Sequence, residues 1–124
     1  MHTAETSVPV LDDGVLAELQ TLGADVVAEI FELFATDVPN RLSKLRQAID
    51  ASSCDGILRE AHGLKGSALG VGASRLAVMC AVIERDARDG HLDQAADRAS
   101  ELAAQFAQVC DAMKDRGVTP NAHS

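Results

Sequence analysis

Three residues near the middle of the chain could do chemistry together. His62, Lys65 and Gly66 lie three and four residues apart within Arg59–Ala73, a stretch with the apolar spacing of a helix. On a helix such positions are neighbours on one face. Imidazole brings a lone pair, the ammonium is a point charge suited to an anion such as phosphate, and the glycine leaves space beside both. Glycine inside a helix costs about 0.5–1 kcal/mol relative to alanine, and Gly63 repeats that cost one position after the histidine. The vacated space would admit a bulky group on the ring or a partner's backbone. Nucleophile, cation and open approach are what phosphoryl transfer through a histidine requires, and neutral imidazole needs no separate base. A lone helical histidine is more often a plain surface residue, and spacing alone does not separate the two readings.

Other chemistries find less support. His2 and His123 lie in expected tails and His91 at an expected helix start, with no ligand-like neighbours. No H-x-x-x-H, H-E-x-x-H or Cys/His pair occurs, so no metal site is expected. Ser67 near His62 lacks the nucleophile elbow and orienting acid of a hydrolase. Gly70-Val71-Gly72-Ala73 has no preceding strand and no following Gly-Lys-Ser/Thr, so it reads as a helix–helix turn. The run Glu84-Arg85-Asp86-Ala87-Arg88-Asp89 reads as a solvated helix face with i,i+3 and i,i+4 pairing.

The elements that must position the candidate site are all helical. Val10 to Leu22 is predicted to form a short helix, with Asp12 or Asp13 as N-cap and Gly23 as its stop. Val26, Val27, Ile30, Phe31 and Phe34 follow helical spacing from Ala24 onward. Pro39 cannot donate to a helical carbonyl, so this helix is predicted to kink there, or to stop and restart with Asp37 as cap. Leu42, Leu45 and Ile49 carry the apolar stripe on to Asp50. After a turn at Ala51-Ser52-Ser53, with Ser52 or Ser53 as cap, a helix runs from about Cys54 to Leu69, its stripe being Ile57, Ala61, Leu64 and Ala68. Ser74 to Arg88 follows, with Leu76, Cys80, Ile83 and Ala87 inward. His91-Leu92-Asp93 is predicted to open the last helix, in which Ala95, Ala99, Leu102, Phe106, Val109 and Met113 keep helical spacing. The fold class is therefore all-α: an up-down antiparallel four-helix bundle over residues 10–114, covered at one end by the short N-terminal helix. Residues 1–9 and 115–124 are expected to be flexible tails.

At about 100° per residue, His62 falls roughly 120° from the centre of its helix's apolar stripe. It is outside the buried face but near its margin. Leu58 and Leu69 then sit at the edge of the core, partly exposed, flanking a polar centre; a protein-docking surface is commonly built this way.

Composition agrees with a helical domain. The 124 residues are 47% hydrophobic and only 2% aromatic, without Trp or Tyr, which favours close-packed helices over sheets. Net charge is −8, from 19 acidic and 11 basic residues, with no basic cluster, so neither nucleic acid nor an anionic membrane is an expected partner. Cys54, Cys80 and Cys110 are odd in number and far apart, fitting free thiols in a reducing compartment. The first residues lack the pattern of a signal peptide and no run of 18 apolar residues occurs, so a cytoplasmic location is expected.

His62-Gly63-Leu64-Lys65-Gly66-Ser67-Ala68, followed by Gly72-Ala73 and a helix with Leu76 and Cys80, resembles the signature of histidine-phosphotransfer (HPt) domains. The resemblance spans about Leu11 to Met113, including Phe34, Pro39, Leu42 and Leu45. It implies a four-helix bundle with the phosphorylated histidine, His62, exposed in mid-helix. Lys65 would steady the phosphoryl group, Gly66 would keep access open, and Ser67 would match the motif's small polar position. Leu58, Arg59, Gly63, Ser67 and Leu69 are the expected docking residues. Gly63 stands where Thr or another polar residue is common, and Ala68 where Ser is common. The implied protein is a monomeric relay intermediate in a two-component system, not an enzyme in its own right. It would take a phosphoryl group from the aspartate of a receiver domain or hybrid kinase and pass it to a response regulator. It would bind no cofactor, Mg2+ belonging to the partner receiver. The alternatives are the phosphoacceptor domain of a chemotaxis-type kinase acting in trans, and an adaptor that binds receivers without being phosphorylated.

Overall fold

The computed structural model describes residues 8–118. It contains five helices: α1 (Asp13–Gln20), α2 (Ala24–Asp50), α3 (Cys54–Gly70), α4 (Ser74–Arg88) and α5 (Ala95–Asp115). No strand occurs among the described residues. Each of the four long helices packs on the next and α5 closes the ring against α2, while α1 leans on α2. The connections α2–α3 and α3–α4 are three residues each. Three extended residues reach at most about 11 Å, well short of the roughly 25 Å length of a 17-residue helix, so the chain must double back at both turns.

The apolar stripes meet as the spacing predicts. Phe31, Leu45, Leu64 and Ala99 are 0% exposed, and Ile57, Leu76 and Leu102 only 1%. Phe34 sits against Phe106 with ring centroids 5.5 Å apart, Phe106 being only partly buried. Cys80 is fully buried and all three cysteines are free thiols.

The ends of the elements follow local chemistry. Asp12 caps α1 by accepting from the Val15 N–H (3.1 Å), and Ser53 Oγ caps α3 by accepting from the Gly56 N–H (3.0 Å). Helix α1 begins later than its apolar residues suggest, because Leu11 precedes the cap and is itself buried at 3% exposure. Gly72, at φ +77, supplies the left-handed step of the α3–α4 turn. Its carbonyl accepts from the Asp12 N–H at 2.7 Å, which ties α1 to that turn.

Two expectations need correction. Helix α2 neither stops nor restarts at Pro39: it is one 27-residue helix, and Asp37 is not a cap. Pro39 is exposed while Val38 (0%) and Leu42 (9%) beside it are buried. The ring therefore faces water, and core packing on the other side holds the helix together. The last helix begins at Ala95 and not at His91, since Gly90 takes φ +76 and the His91 N–H is turned back onto the Asp86 carbonyl at 2.8 Å.

The expected tails lie mostly outside the described residues, as do His2 and His123. Of the expected tail residues that are described, Val8 and Pro9 are held by their carbonyls, which accept from Arg75 Nε (2.8 Å) and from the Arg75 backbone N–H (3.0 Å). Val118 is 8% exposed and joins the core. No helix among the described residues is long and apolar enough to cross a membrane.

Candidate functional site

Helix α3 carries His62 in its middle, with its imidazole 72% exposed. The helical projection places the residue at the margin of the buried face, and the structure agrees. Across the α3–α4 interface stands Glu84, its side chain only 4% exposed. One carboxylate oxygen lies 2.9 Å from His62 Nδ1, and the other lies 2.6 Å from Lys65 Nζ. Histidine and lysine thus share one buried anion.

Burial alone would push the Glu84 carboxyl up, but the hydrogen bonds and charges of Lys65 and His62 outweigh it and hold the group below the ordinary glutamate range. An ionised carboxylate can only accept, so His62 Nδ1 is the donor in this contact. In a neutral ring the lone pair then belongs to Nε2, on the side turned away from Glu84. A ring fixed in this tautomer can act as a nucleophile toward a group arriving from solvent. Beneath the pair lies Cys80, one helical turn before Glu84. Burial, and then the charge of Glu84, push its thiol up to about 12, against an opposing effect of Lys65, so it is inert.

Glu84 is the residue that sequence reasoning missed. The charged run it opens does not all face water: Glu84 is buried, and Asp86 pairs with Arg98 at 3.0 Å. A signal existed. Leu76, Ala77, Cys80, Ile83, Glu84 and Ala87 are the buried residues of α4, and Glu84 completes the i,i+3/i+4 pattern of that face.

The two glycines differ. A Cβ at Gly66 would meet nothing within 4 Å, so packing does not require glycine there. A Cβ at Gly63 would collide with the Arg41 guanidinium, which reaches across from α2. Arg41 Nε donates to Asp37 Oδ2 at 3.0 Å, Ser67 Oγ donates to the same oxygen at 2.6 Å, and Arg41 Nη1 reaches Glu60 Oε1 at 3.4 Å.

Among the expected docking residues, Leu69 (57% exposed) and Arg59 (side chain 72% exposed) face solvent, Arg59 lying 3.6 Å from Glu60. Leu58 is half-buried against the core, Gly63 lies under Arg41, and Ser67 is tied to Asp37. Beside Gly66 and Gly70 runs a shallow groove of about 350 Å³, walled by Ile30, Leu33 and Phe34 of α2. Leu33, 70% exposed, was not anticipated from the sequence. Among the described residues no group of three or more His, Cys, Asp or Glu is arranged to hold a metal ion.

Comparison with known proteins agrees with this architecture. No curated protein sequence matches the chain. A solved structure, the histidine-containing phosphotransfer protein B (HptB) from Pseudomonas aeruginosa PAO1, superposes with a TM-score of 0.82 at 33% identity, covering 87% of this chain and 94% of that one. The Hpt domain model matches residues 29–115, from the second turn of α2 to the end of α5. The chain belongs to the Hpt, or histidine-phosphotransfer, domain family.

Proposed function

We propose that the protein is a phosphorelay intermediate in which His62 Nε2 accepts a phosphoryl group from the aspartyl phosphate of one receiver domain and delivers it to another. The observation that carries this reading is the 2.9 Å contact of His62 Nδ1 with buried Glu84 on a ring that is otherwise open to solvent. In the forward step the Nε2 lone pair forms the N–P bond, the P–O bond to the donor aspartate breaks, and that carboxylate leaves as an anion. The ring keeps its Nδ1 proton and becomes formally cationic. Glu84, already ionised, lies against that charge. In the onward step the receiver's aspartate carboxylate forms the new P–O bond, the N–P bond breaks, and the ring leaves as neutral imidazole in its resting tautomer.

Lys65 supports the same reading in a second way. Its ammonium is held beside Nε2's ring by Glu84, and its side chain is 31% exposed. It can reach outward to the phosphoryl oxygens while the carboxylate remains with His62. Gly66 keeps the approach clear. Arg59 and Leu69, with Leu33 added, form the exposed part of the docking surface, and Leu58, Gly63 and Ser67 lie at its margin. The Mg2+ that offsets phosphate charge during transfer is assigned to the acidic pocket of the receiver, and the protein acts as a monomer in the cytoplasm.

The test is direct. A phosphorylated receiver with Mg2+ is incubated with this protein, and the chain is examined for an acid-labile, alkali-stable label. The label should appear on the wild type and vanish in His62→Gln; undiminished labelling of that variant would refute the assignment.

A further inference from the structure

Gly63 has a use that helix propensity does not reveal. The Arg41 side chain crosses from α2 and lies in the notch that the missing Cβ leaves, one residue beyond His62 on α3. A Cβ there would collide with Nη1 and lie 2.6 Å from Cζ. Two carboxylates hold the guanidinium in that place: Asp37 on Nε at 3.0 Å and Glu60 on Nη1 at 3.4 Å. Asp37 is fixed in turn by Ser67 Oγ at 2.6 Å, and Glu60 is only 8% exposed. Such anchoring removes the rotamer freedom that normally weakens a surface arginine as a binding group.

The arginine is held but not used up. Its side chain is 36% exposed, and Nη2 makes no hydrogen bond among the described residues. A guanidinium has five N–H donors in a rigid fork. With Nε and one Nη1 position taken, the Nη2 edge keeps its donors free, on a guanidinium seated against the residue that follows His62. That edge matches the two oxygens of a carboxylate.

Resting on the phosphotransfer reading above, we infer that Arg41, seated in the Gly63 notch, is a specificity-determining residue that pairs with a carboxylate on the docked receiver domain. The notch and the arginine work as one unit. Asp37, Glu60 and Ser67 are positioning residues that hold it, and a receiver lacking an acidic side chain at the facing position docks weakly.

The experiment uses a receiver that labels the wild-type protein, and measures transfer rate against receiver concentration. Arg41→Met should raise the KM for the phosphorylated receiver about tenfold with kcat within about twofold, as expected for a lost charge-assisted hydrogen bond made on docking. Gly63→Ala is the companion variant: it keeps the arginine, adds a better helix former and displaces the guanidinium, so it folds and should raise KM similarly. The double variant should be no worse than either single one. A wild-type KM in either single variant, a fall in kcat at unchanged KM, or additive losses in the double variant would overturn the proposal. Failure of the underlying phosphotransfer reading looks different, because then no receiver labels the wild type at all.

Discussion

His62 and Glu84 are joined by a 2.9 Å contact between an exposed imidazole and a carboxylate that is 4% exposed. They stand 22 residues apart on neighbouring helices. One half of the pair can meet a partner; the other cannot leave the core. The buried half sets the orientation and tautomer of the open half, and Lys65 at 2.6 Å keeps the buried charge balanced.

The first prediction concerns that buried charge. Glu84→Gln keeps the side-chain shape but removes the anion, and should lower stability by about 1–2 kcal/mol at neutral pH, the scale of a charged hydrogen bond whose partners can still reach water. Because Glu84 is held below its ordinary value near 4.5, the unfolded chain takes up the proton first as pH falls. The wild-type advantage is thus fully present above that value and is lost as pH drops through the lower, folded one. Urea midpoints for the two proteins should differ at neutral pH and converge as the pH falls below the ordinary glutamate value; a constant gap would show that folding does not lower the Glu84 pKa, and a gap that widens in acid would show a carboxyl kept neutral in the fold.

Gly66 provides the second. With nothing within 4 Å of an added Cβ, Gly66→Ala should raise stability by about 0.5–1 kcal/mol through helix propensity. Gly66→Leu should fold equally well yet block phosphoryl transfer by filling the approach to His62. Thermal unfolding followed by circular dichroism, run beside a transfer assay, separates the effects. A Leu variant that unfolds early would mean that the glycine serves packing.

Helix α2 gives the third. Pro39 sits inside a continuous helix, where it removes a hydrogen bond, so Pro39→Ala should restore a donor for the Ala35 carbonyl. A gain of about 1–2 kcal/mol is expected, less than the full cost of about 3 kcal/mol for an internal proline, because the unfolded chain also gains freedom. Denaturant unfolding measures it; a loss of stability would show that the surrounding packing is built on the proline.

How much of this was legible in the chain follows from what each residue interacts with. The helices were readable because Ile57, Ala61, Leu64 and Ala68 repeat with the period of the helix they form, and burial rewards that period locally. His62, Lys65 and Gly66 were readable for the same reason, as they share one helical face. Pro39 left a kink and a break both open because its local cost is real; the burial of Val38 and Leu42 against other helices keeps the helix continuous. Glu84 was hidden in a charged run: its polarity argued for solvent, while its spacing from Cys80 and Ile83 argued for the core. Gly63 and Arg41 are 22 positions apart in different helices, and nothing local marks one as the seat of the other.

A fourth prediction concerns the thiols. Cys80 is fully buried and its thiol is pushed up to about 12, whereas Cys54 and Cys110 are half-buried. A disulfide reagent at neutral pH should titrate no more than the latter two in the native protein, and Cys80 only after denaturation. Rapid modification of Cys80 in the native fold would show that the α3–α4 interface opens beneath the site.

The most direct measurement of the central claim is the position of the phosphoryl group on the ring. Protein labelled with nitrogen-15 in histidine, phosphorylated by a receiver and observed by NMR, should show phosphorus coupled to Nε2 of His62, with Nδ1 still protonated and hydrogen-bonded to Glu84. Phosphorus on Nδ1, or on any residue other than His62, would contradict the account.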